Sequence, residues 1–362
     1  MKKIQKLPKV VTIQLTELCN LRCKMCYEWG ETGCFLNPIS EKKPKSLDLG
    51  VIKQLLKDLS PSKRSFFFFG GEPLMYPYLE EVITIIKQTG SVLDTPTNGT
   101  LLDKHAKMLV KTGFDSVRVS IDGPREVNDS QRGRGSFDKA MDGIETLYQE
   151  KQKAGSSKPN ISIIYTVTPN NYLSIEQFFL KDINLSTIDS ITIQMQNFLT
   201  YEMGEKYAKL LKSEFNISSE SFWKGFLRSL DDFSKIDTIE LSRQIDVVRK
   251  RFAELNKGVL LLPPTFSSNN LLAYNQARWN EMEDLYDSCP IPWISVDITA
   301  SGDVAPCHTF FDLVMGNLYE KSFLEIWNGE KYQKFRMYMK ENRLMSICPG
   351  CCILYLFGNK KI

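Results

Sequence analysis

Histidine is nearly absent from this 362-residue chain, which has two, His105 and His308. Long apolar runs are missing as well. The runs 66–69 and 259–262 fall far short of the roughly 20 residues of a membrane span. The lysine-rich start, residues 1–9, is followed by no apolar h-region, which excludes a secretory signal. A net charge of +3 from 46 basic and 43 acidic residues gives no electrostatic case for nucleic acid as a partner. These absences describe a cytoplasmic protein that neither crosses a membrane nor binds nucleic acid.

What the chain does have is nine cysteines, gathered towards its two ends. Its length allows one large domain and a smaller appended one, and 42% apolar with 25% charged residues is ordinary for a globular protein. With no secretory signal and so long a chain, metal ligation suits the cysteines better than disulfides.

Three thiols, Cys19, Cys23 and Cys26, fall within eight residues, and so short a loop can turn all of them towards one point. Thiolates select zinc, copper(I) or iron–sulfur clusters. No histidine lies nearby in the sequence to complete a zinc tetrahedron, so a fourth ligand position stays open. The spacing C-x3-C-x2-C, preceded by Thr16 and followed by Tyr27, resembles the signature of the radical S-adenosylmethionine (SAM) superfamily. That resemblance implies a [4Fe–4S] cluster whose open iron is chelated by the amino and carboxylate groups of SAM. One electron then cleaves SAM to a 5′-deoxyadenosyl radical, which abstracts hydrogen from a substrate.

Short β-branched and aromatic runs alternate with helical patterns. Strands are predicted over 10–16, 65–69, 92–97, 116–121, 161–167 and 190–196, and helices near 48–59, 77–87, 103–111, 136–151 and 175–180. Such alternation predicts a parallel α/β sheet with right-handed crossovers. By the resemblance it is a partial (β/α)6 barrel, whose chemistry gathers where the strands end. The second strand runs into Gly70-Gly71-Glu72-Pro73, a further family match implying that backbone and Glu72 position the SAM amino group. The third ends at Thr97-Asn98-Gly99, where Asn98 is part of the implied pocket wall. The fourth gives Val119-Ser120-Ile121-Asp122-Gly123 followed by Arg132. The resemblance makes Ser120 and Arg132 holders of the SAM carboxylate, a role suited to a planar cationic fork, and places Asp122 at ribose or substrate. Gln194 and Gln196 alternate inward on the sixth strand, either as contacts for adenine or substrate or as buried amides satisfying each other.

Beyond residue 200 the alternation stops. Helices are predicted over 202–215, 221–233 and 239–256, forming a connector or cap over 201–287, and the stripe Phe222, Phe226, Leu230 reads as packing. The terminal segment, 288–362, holds Cys289, Cys307, Cys348 and Cys351. Four thiols satisfy one metal centre, a zinc ribbon or an iron–sulfur cluster. The pattern C-x17-C with Gly302 five residues before Cys307, then C-x2-C, resembles the SPASM/twitch region of the superfamily in a truncated form. It implies one auxiliary [4Fe–4S] cluster fully held by cysteine and suited to electron transfer, with Cys351 rather than Cys352 as its fourth ligand.

Cys34 and Cys352 are left over, each either a buried small residue or a hydrogen-atom donor that quenches a substrate radical, as in radical epimerases. The single auxiliary cluster points to a dehydrogenase or epimerase of a sugar or aminocyclitol-like small molecule. The second reading is epimerisation or crosslinking of a ribosomally made peptide. It is weakened because the cluster motif begins eighteen residues into the chain, leaving no room for an N-terminal peptide-recognition domain. Sulfatase-type maturation is weakened by the two auxiliary clusters of those relatives. A one-electron donor such as flavodoxin or ferredoxin is implied. A zinc-stabilised binding protein is the reading from another class.

Overall fold

The computed structural model describes residues 6–35, 43–219, 222–307, 309 and 311–360. His308 lies outside them. Seven strands pair in sequence order and in parallel: β1 (Val10–Thr16), β2 (Ser65–Gly70), β3 (Val92–Thr97), β4 (Ser116–Ser120), β5 (Asn160–Val167), β6 (Ser190–Met195) and β7 (Gly258–Leu262). Each side-chain face of a strand repeats every second residue, and β2 shows the division. Phe66 and Phe68 are buried in the core between sheet and helices, whereas Phe67 and Phe69 line a cavity on the concave face. The outer face is covered by helices including Leu49–Leu59, Leu79–Gln88, Leu102–Lys111 and Ser136–Lys153. The first begins at Asp48, whose carboxylate accepts from the Gly50 amide at 2.7 Å, as an N-cap should.

Six strands were expected and the sheet has a seventh. The predicted helical connector does contain helices at Tyr201–Phe215 and Thr238–Glu254, but β7 follows them and pairs with β6. The β-branched and leucine run before Pro263 is therefore one more βα repeat. The expected helix over 221–233, whose first residue lies outside the described ones, is instead a 3₁₀ turn at Phe222–Phe226 and a single turn at Leu230–Phe233. Gly225 explains the break: a Cβ there would meet the Tyr27 carbonyl oxygen at 2.3 Å, so this segment is pressed flat against the cysteine loop.

The C-terminal segment extends the same sheet. After β8 (Tyr286–Ser288), β9 (Ser295–Ile298) pairs in parallel with β1, and β10 (Asp303–Ala305) and β11 (Gly316–Asn317) follow antiparallel. A short β12 (Asn359–Lys360) pairs with β8. Gln14, on the concave face of β1, joins the two cysteine-bearing parts: its amide nitrogen donates to Glu28 at 2.8 Å, and its oxygen accepts from the Ala300 amide at 3.1 Å. No helix among the described residues is long and apolar enough to cross a membrane.

Candidate active site

The loop after β1 carries Cys19, Cys23 and Cys26 as free, partly exposed thiols. Backbone hydrogen bonds wind it tightly: Cys26 donates to the Cys23 carbonyl and Gly30 to that of Cys26, both at 3.0 Å. Donors surround the sulfurs. Asn98 Nδ2 lies 4.0 Å from Cys19 Sγ, Arg132 Nη1 lies 4.0 Å from Cys23 Sγ, and the Trp29 amide donates to Cys26 Sγ at 3.4 Å. Burial pushes the Cys19 thiol up to about 12 and that of Cys26 to about 11, and it also raises Cys23 against the opposing pull of Arg132. Thiols this reluctant to ionise become ligands by losing protons to an incoming metal. Among the described residues, no three His, Cys, Asp or Glu side chains are gathered so as to hold a single ion. Three thiolates from one short loop are a donor set that fits a four-iron cube with one open iron.

The loop after β2 lies against this one. Gly71 donates to the Thr16 carbonyl at 3.0 Å and Glu72 to the Leu18 carbonyl at 2.7 Å, and a Cβ on Gly71 would stand 2.1 Å from the Leu18 oxygen. Gly70 takes φ +106°, with Gln14 where its Cβ would be. Pro73 is buried at the start of a 3₁₀ turn. The Glu72 carboxylate, expected to face a ligand, is turned inward. It accepts from Thr97 Oγ1 at 2.7 Å, from the Asn98 amide at 2.8 Å and from the Leu74 amide at 3.1 Å. Burial raises its pKa against those bonds. Its work in this arrangement is to fix Asn98, whose side chain donates to Asn20 in the cysteine loop.

Asp122 and Arg132 are paired with each other at the end of β4. Asp122 is wholly buried and both its oxygens are occupied, one by the Thr166 amide at 2.8 Å and the other by Arg132 Nε at 2.6 Å. Arg132 has its Nε on Asp122 and its other end near Cys23, so one ion pair connects the end of β4 to the cluster loop.

Within the sheet runs a cavity of about 300 Å³. Its walls come from the concave faces of β2 to β7, including Phe67, Phe69, Ser120, Thr166, Gln194 and Gln196. Met25 and Tyr27 close it on the cysteine-loop side, and Thr309, Cys351 and Cys352 on the C-terminal side. Gln194 donates to Thr166 Oγ1 at 3.2 Å, so the pairing imagined between Gln194 and Gln196 is replaced by a bond to the next strand. Tyr27 stacks on Phe226 with centroids 4.4 Å apart, and its hydroxyl is buried with no hydrogen-bond partner among the described residues.

Cys289, Cys307, Cys348 and Cys351 line one small apolar cavity with Ile291, Phe335 and Met339 among its walls. Cys307 and Cys348 are buried. Burial pushes the Cys289 thiol up to about 12 and raises those of Cys307 and Cys348. Four thiols in an apolar shell are a donor set that fits one fully ligated cluster. Cys352 is not on this cavity but on the larger one, where Asn197 Nδ2 reaches its sulfur at 3.2 Å. Cys34 lines neither; its amide donates to the Tyr27 carbonyl at 2.9 Å.

The sequence reading passed over Arg228, Asn197 and Arg118, and took Phe226 for packing alone. Arg118 was visible in principle, because Ser116, Arg118 and Ser120 alternate with Val117 and Val119 on a strand already recognised. The others sit in irregular chain with no periodicity to read. Arg228 donates to the carbonyls of Met25, Gly225 and Leu227, tying connector to cysteine loop.

This geometry defines a radical SAM barrel with a second iron–sulfur domain, and the family models agree. The radical SAM superfamily model matches residues 13–180 and the SPASM iron–sulfur cluster-binding domain matches residues 289–352. The chain belongs to the radical SAM superfamily, in its SPASM-containing branch. It is 24% identical, over 95% of its length and 87% of the relative's, to the tungsten-containing aldehyde ferredoxin oxidoreductase cofactor-modifying protein of Pyrococcus furiosus. To the serine-type anaerobic sulfatase-maturating enzyme of Bacteroides thetaiotaomicron it is 24% identical over 93% of this chain and 78% of that one. Among solved structures, Streptococcus suis SuiB bound to S-adenosylmethionine superposes with a TM-score of 0.64 at 16% identity, covering 97% of this chain and 74% of SuiB. SuiB has also been solved with its precursor peptide SuiA. The two domains imply a [4Fe–4S] cluster, SAM and an auxiliary cluster as cofactors.

Proposed function

We propose that this chain is a radical SAM enzyme that replaces hydrogen at a carbon of a substrate held in the barrel cavity, with Cys352 as the hydrogen-atom donor. The observation that carries the reading is the position of Cys352, which lines the same cavity as Met25 and Tyr27 of the cysteine loop. Cys19, Cys23 and Cys26 hold the first cluster, and Cys289, Cys307, Cys348 and Cys351 hold the auxiliary one. Bound SAM supplies, on one-electron reduction, the radical that removes a hydrogen atom from the substrate.

The chain's own residues do the rest. Gly70, Gly71, Glu72, Pro73 and Asn98 hold the loop that faces the first cluster, and Arg132 with Asp122 fixes Cys23 from the other side. Tyr27, Ser120 and Gln194 give polar atoms to SAM or substrate in walls otherwise rich in Phe67, Phe69, Phe226 and Leu262. Cys352 breaks its S–H bond as the new C–H bond forms on the opposite face of the substrate carbon. One electron and one proton from outside return the sulfur to a thiol. A flavodoxin or ferredoxin is the expected source of that electron.

Phe67, Phe69, Phe198, Phe226, Leu199 and Leu262 give the wall a large apolar share beside its polar side chains. It favours a small molecule with an apolar body. The full-length likeness to SuiB, solved with a peptide, supports the side chain of a peptide as the second substrate reading. Two-electron oxidation is favoured instead by Thr309 and Cys351, which line both cavities.

The test is incubation of the reconstituted enzyme and SAM in deuterium oxide with the small-molecule fraction of an anaerobic extract. The reading predicts one product carrying a single deuterium at carbon, lost in Cys352→Ala and kept in Cys34→Ala, with 5′-deoxyadenosine still formed in both. A product two mass units lighter without deuterium means oxidation. Deuterium uptake that survives Cys352→Ala removes Cys352 from the reaction.

A further inference from the structure

The charges on the wall of the large cavity are all of one sign. Among the described residues that line it there is no aspartate, glutamate or lysine, but there are two arginines, Arg118 and Arg228. They differ in what remains of their donors. Arg228 spends its guanidinium on the carbonyls of Met25, Gly225 and Leu227 and on the Thr32 hydroxyl. Arg118 bonds through Nη2 alone, to Asp94 on the neighbouring strand, which leaves Nε and Nη1 without a protein partner among the described residues.

The sheet register fixes where this guanidinium stands. Arg118 pairs with Pro96 on one side and Ser162 on the other. It lies two residues below Ser120 on β4, roughly 6.6 Å deeper into the barrel than the strand ends that face the cluster loop. Its register partner Pro96 lines the same cavity wall, as does Phe67, whose ring centre is 5.8 Å from the Arg118 Cζ. Its side chain is 31% accessible, open towards the cavity rather than packed away. A cation on an apolar floor costs solvation energy. Asp94 offsets part of that cost and orients the fork, and a second anion arriving from the cavity would complete it through paired N–H donors.

We propose that Arg118 binds a carboxylate of the substrate, at the end of the molecule remote from the reacting carbon. This rests on the reading above that the cavity is the substrate site. It makes the substrate an amphiphile: an acid head at the floor, an apolar body along the phenylalanines, and the reacting carbon near Met25 and Cys352.

The experiment uses a matched pair of fluorescent probes small enough for the cavity, 2-naphthylacetate and the neutral 2-naphthylacetamide, titrated into the reconstituted, SAM-bound protein. The wild-type chain is expected to bind the acid at least tenfold more tightly than the amide. Arg118→Gln should bring the acid down to the amide's affinity, and Arg118→Lys should keep an intermediate preference. Equal affinity for both probes in the wild-type chain, absence of acid binding, or an undiminished preference in Arg118→Gln would overturn the proposal. The comparison on the wild-type chain stands even where a variant fails to fold. Because fluorescence needs no turnover, failure of the deuterium experiment leaves this result readable.

Discussion

Replacing Gly71 by alanine tests how tightly the second βα loop supports the cysteine loop. A Cβ at this position would stand 2.1 Å from the Leu18 oxygen and 2.6 Å from that of Glu17. Ordinary contact needs the two chains to separate by roughly 1 Å or more. The atoms in the way are backbone, and each loop is tied: Gly71 to Thr16, Glu72 to Leu18, and Glu72 again to Thr97 and Asn98. Relief therefore has to move Cys19 or the Glu72 anchor. Overpacking of this kind costs about 1–3 kcal/mol, and displacing a reacting centre by an ångström lowers rate by about a hundredfold. Gly71→Ala should therefore fold with a modestly lower melting temperature yet cleave SAM about a hundredfold more slowly, read as 5′-deoxyadenosine per minute at equal iron content. The control is Gly113→Ala. Gly113 has φ +67° with nothing within 4 Å of its Cβ, before β4 and at the opposite end of that strand, so it should lose stability but keep cleavage. Unchanged cleavage in Gly71→Ala would refute the argument that this close approach positions the cluster loop.

Asp122→Asn leaves Arg132 buried without its counter-charge and should cost about 3–5 kcal/mol in a denaturant titration; a loss under 1 kcal/mol would mean that the pair is not what holds β4 to the loop. Glu28 supplies a pH dependence for the metal-free chain. Its burial, with a smaller push from Glu17 and an opposing bond from Gln14, lifts the carboxyl from 4.5 to about 8. The folded chain thus keeps a proton that the unfolded chain has already released, so stability falls as pH rises from 4.5 to about 8 and levels beyond, by at most about 1.4 kcal/mol per pH unit. Glu28→Gln should flatten that slope in thermal melts, and superimposable curves for the two proteins would contradict it.

Much of this architecture was legible because it rests on period and punctuation. β1 and β3 were bounded correctly from β-branched runs alone, and the cysteine spacings carry enough chemistry to identify both cluster regions. The misreadings share a physical cause. β7 is a single short run after two amphipathic helices, and nothing local distinguishes it from a turn until β6 offers an edge to pair with. The expected helix over 221–233 has acceptable propensity but fails because tertiary contact at Gly225 forbids its path. Glu72 and Asp122 were assigned to SAM, ribose or substrate by the family resemblance. What sequence does not display is the bonding of their carboxylates within the fold, Glu72 to Thr97 and the Asn98 and Leu74 amides, and Asp122 to Arg132 and the Thr166 amide. Cys34 and Cys352 were indistinguishable as leftover thiols, and only the cavity separates them.

Iron and acid-labile sulfide per chain, measured after anaerobic reconstitution in the native protein and in a Cys19, Cys23, Cys26→Ala triple variant, test the two-cluster account most directly. The account predicts about eight irons in the native chain and about four in the variant, with 5′-deoxyadenosine formation lost. About four irons in the native chain, or a variant that keeps all of its iron, would contradict it.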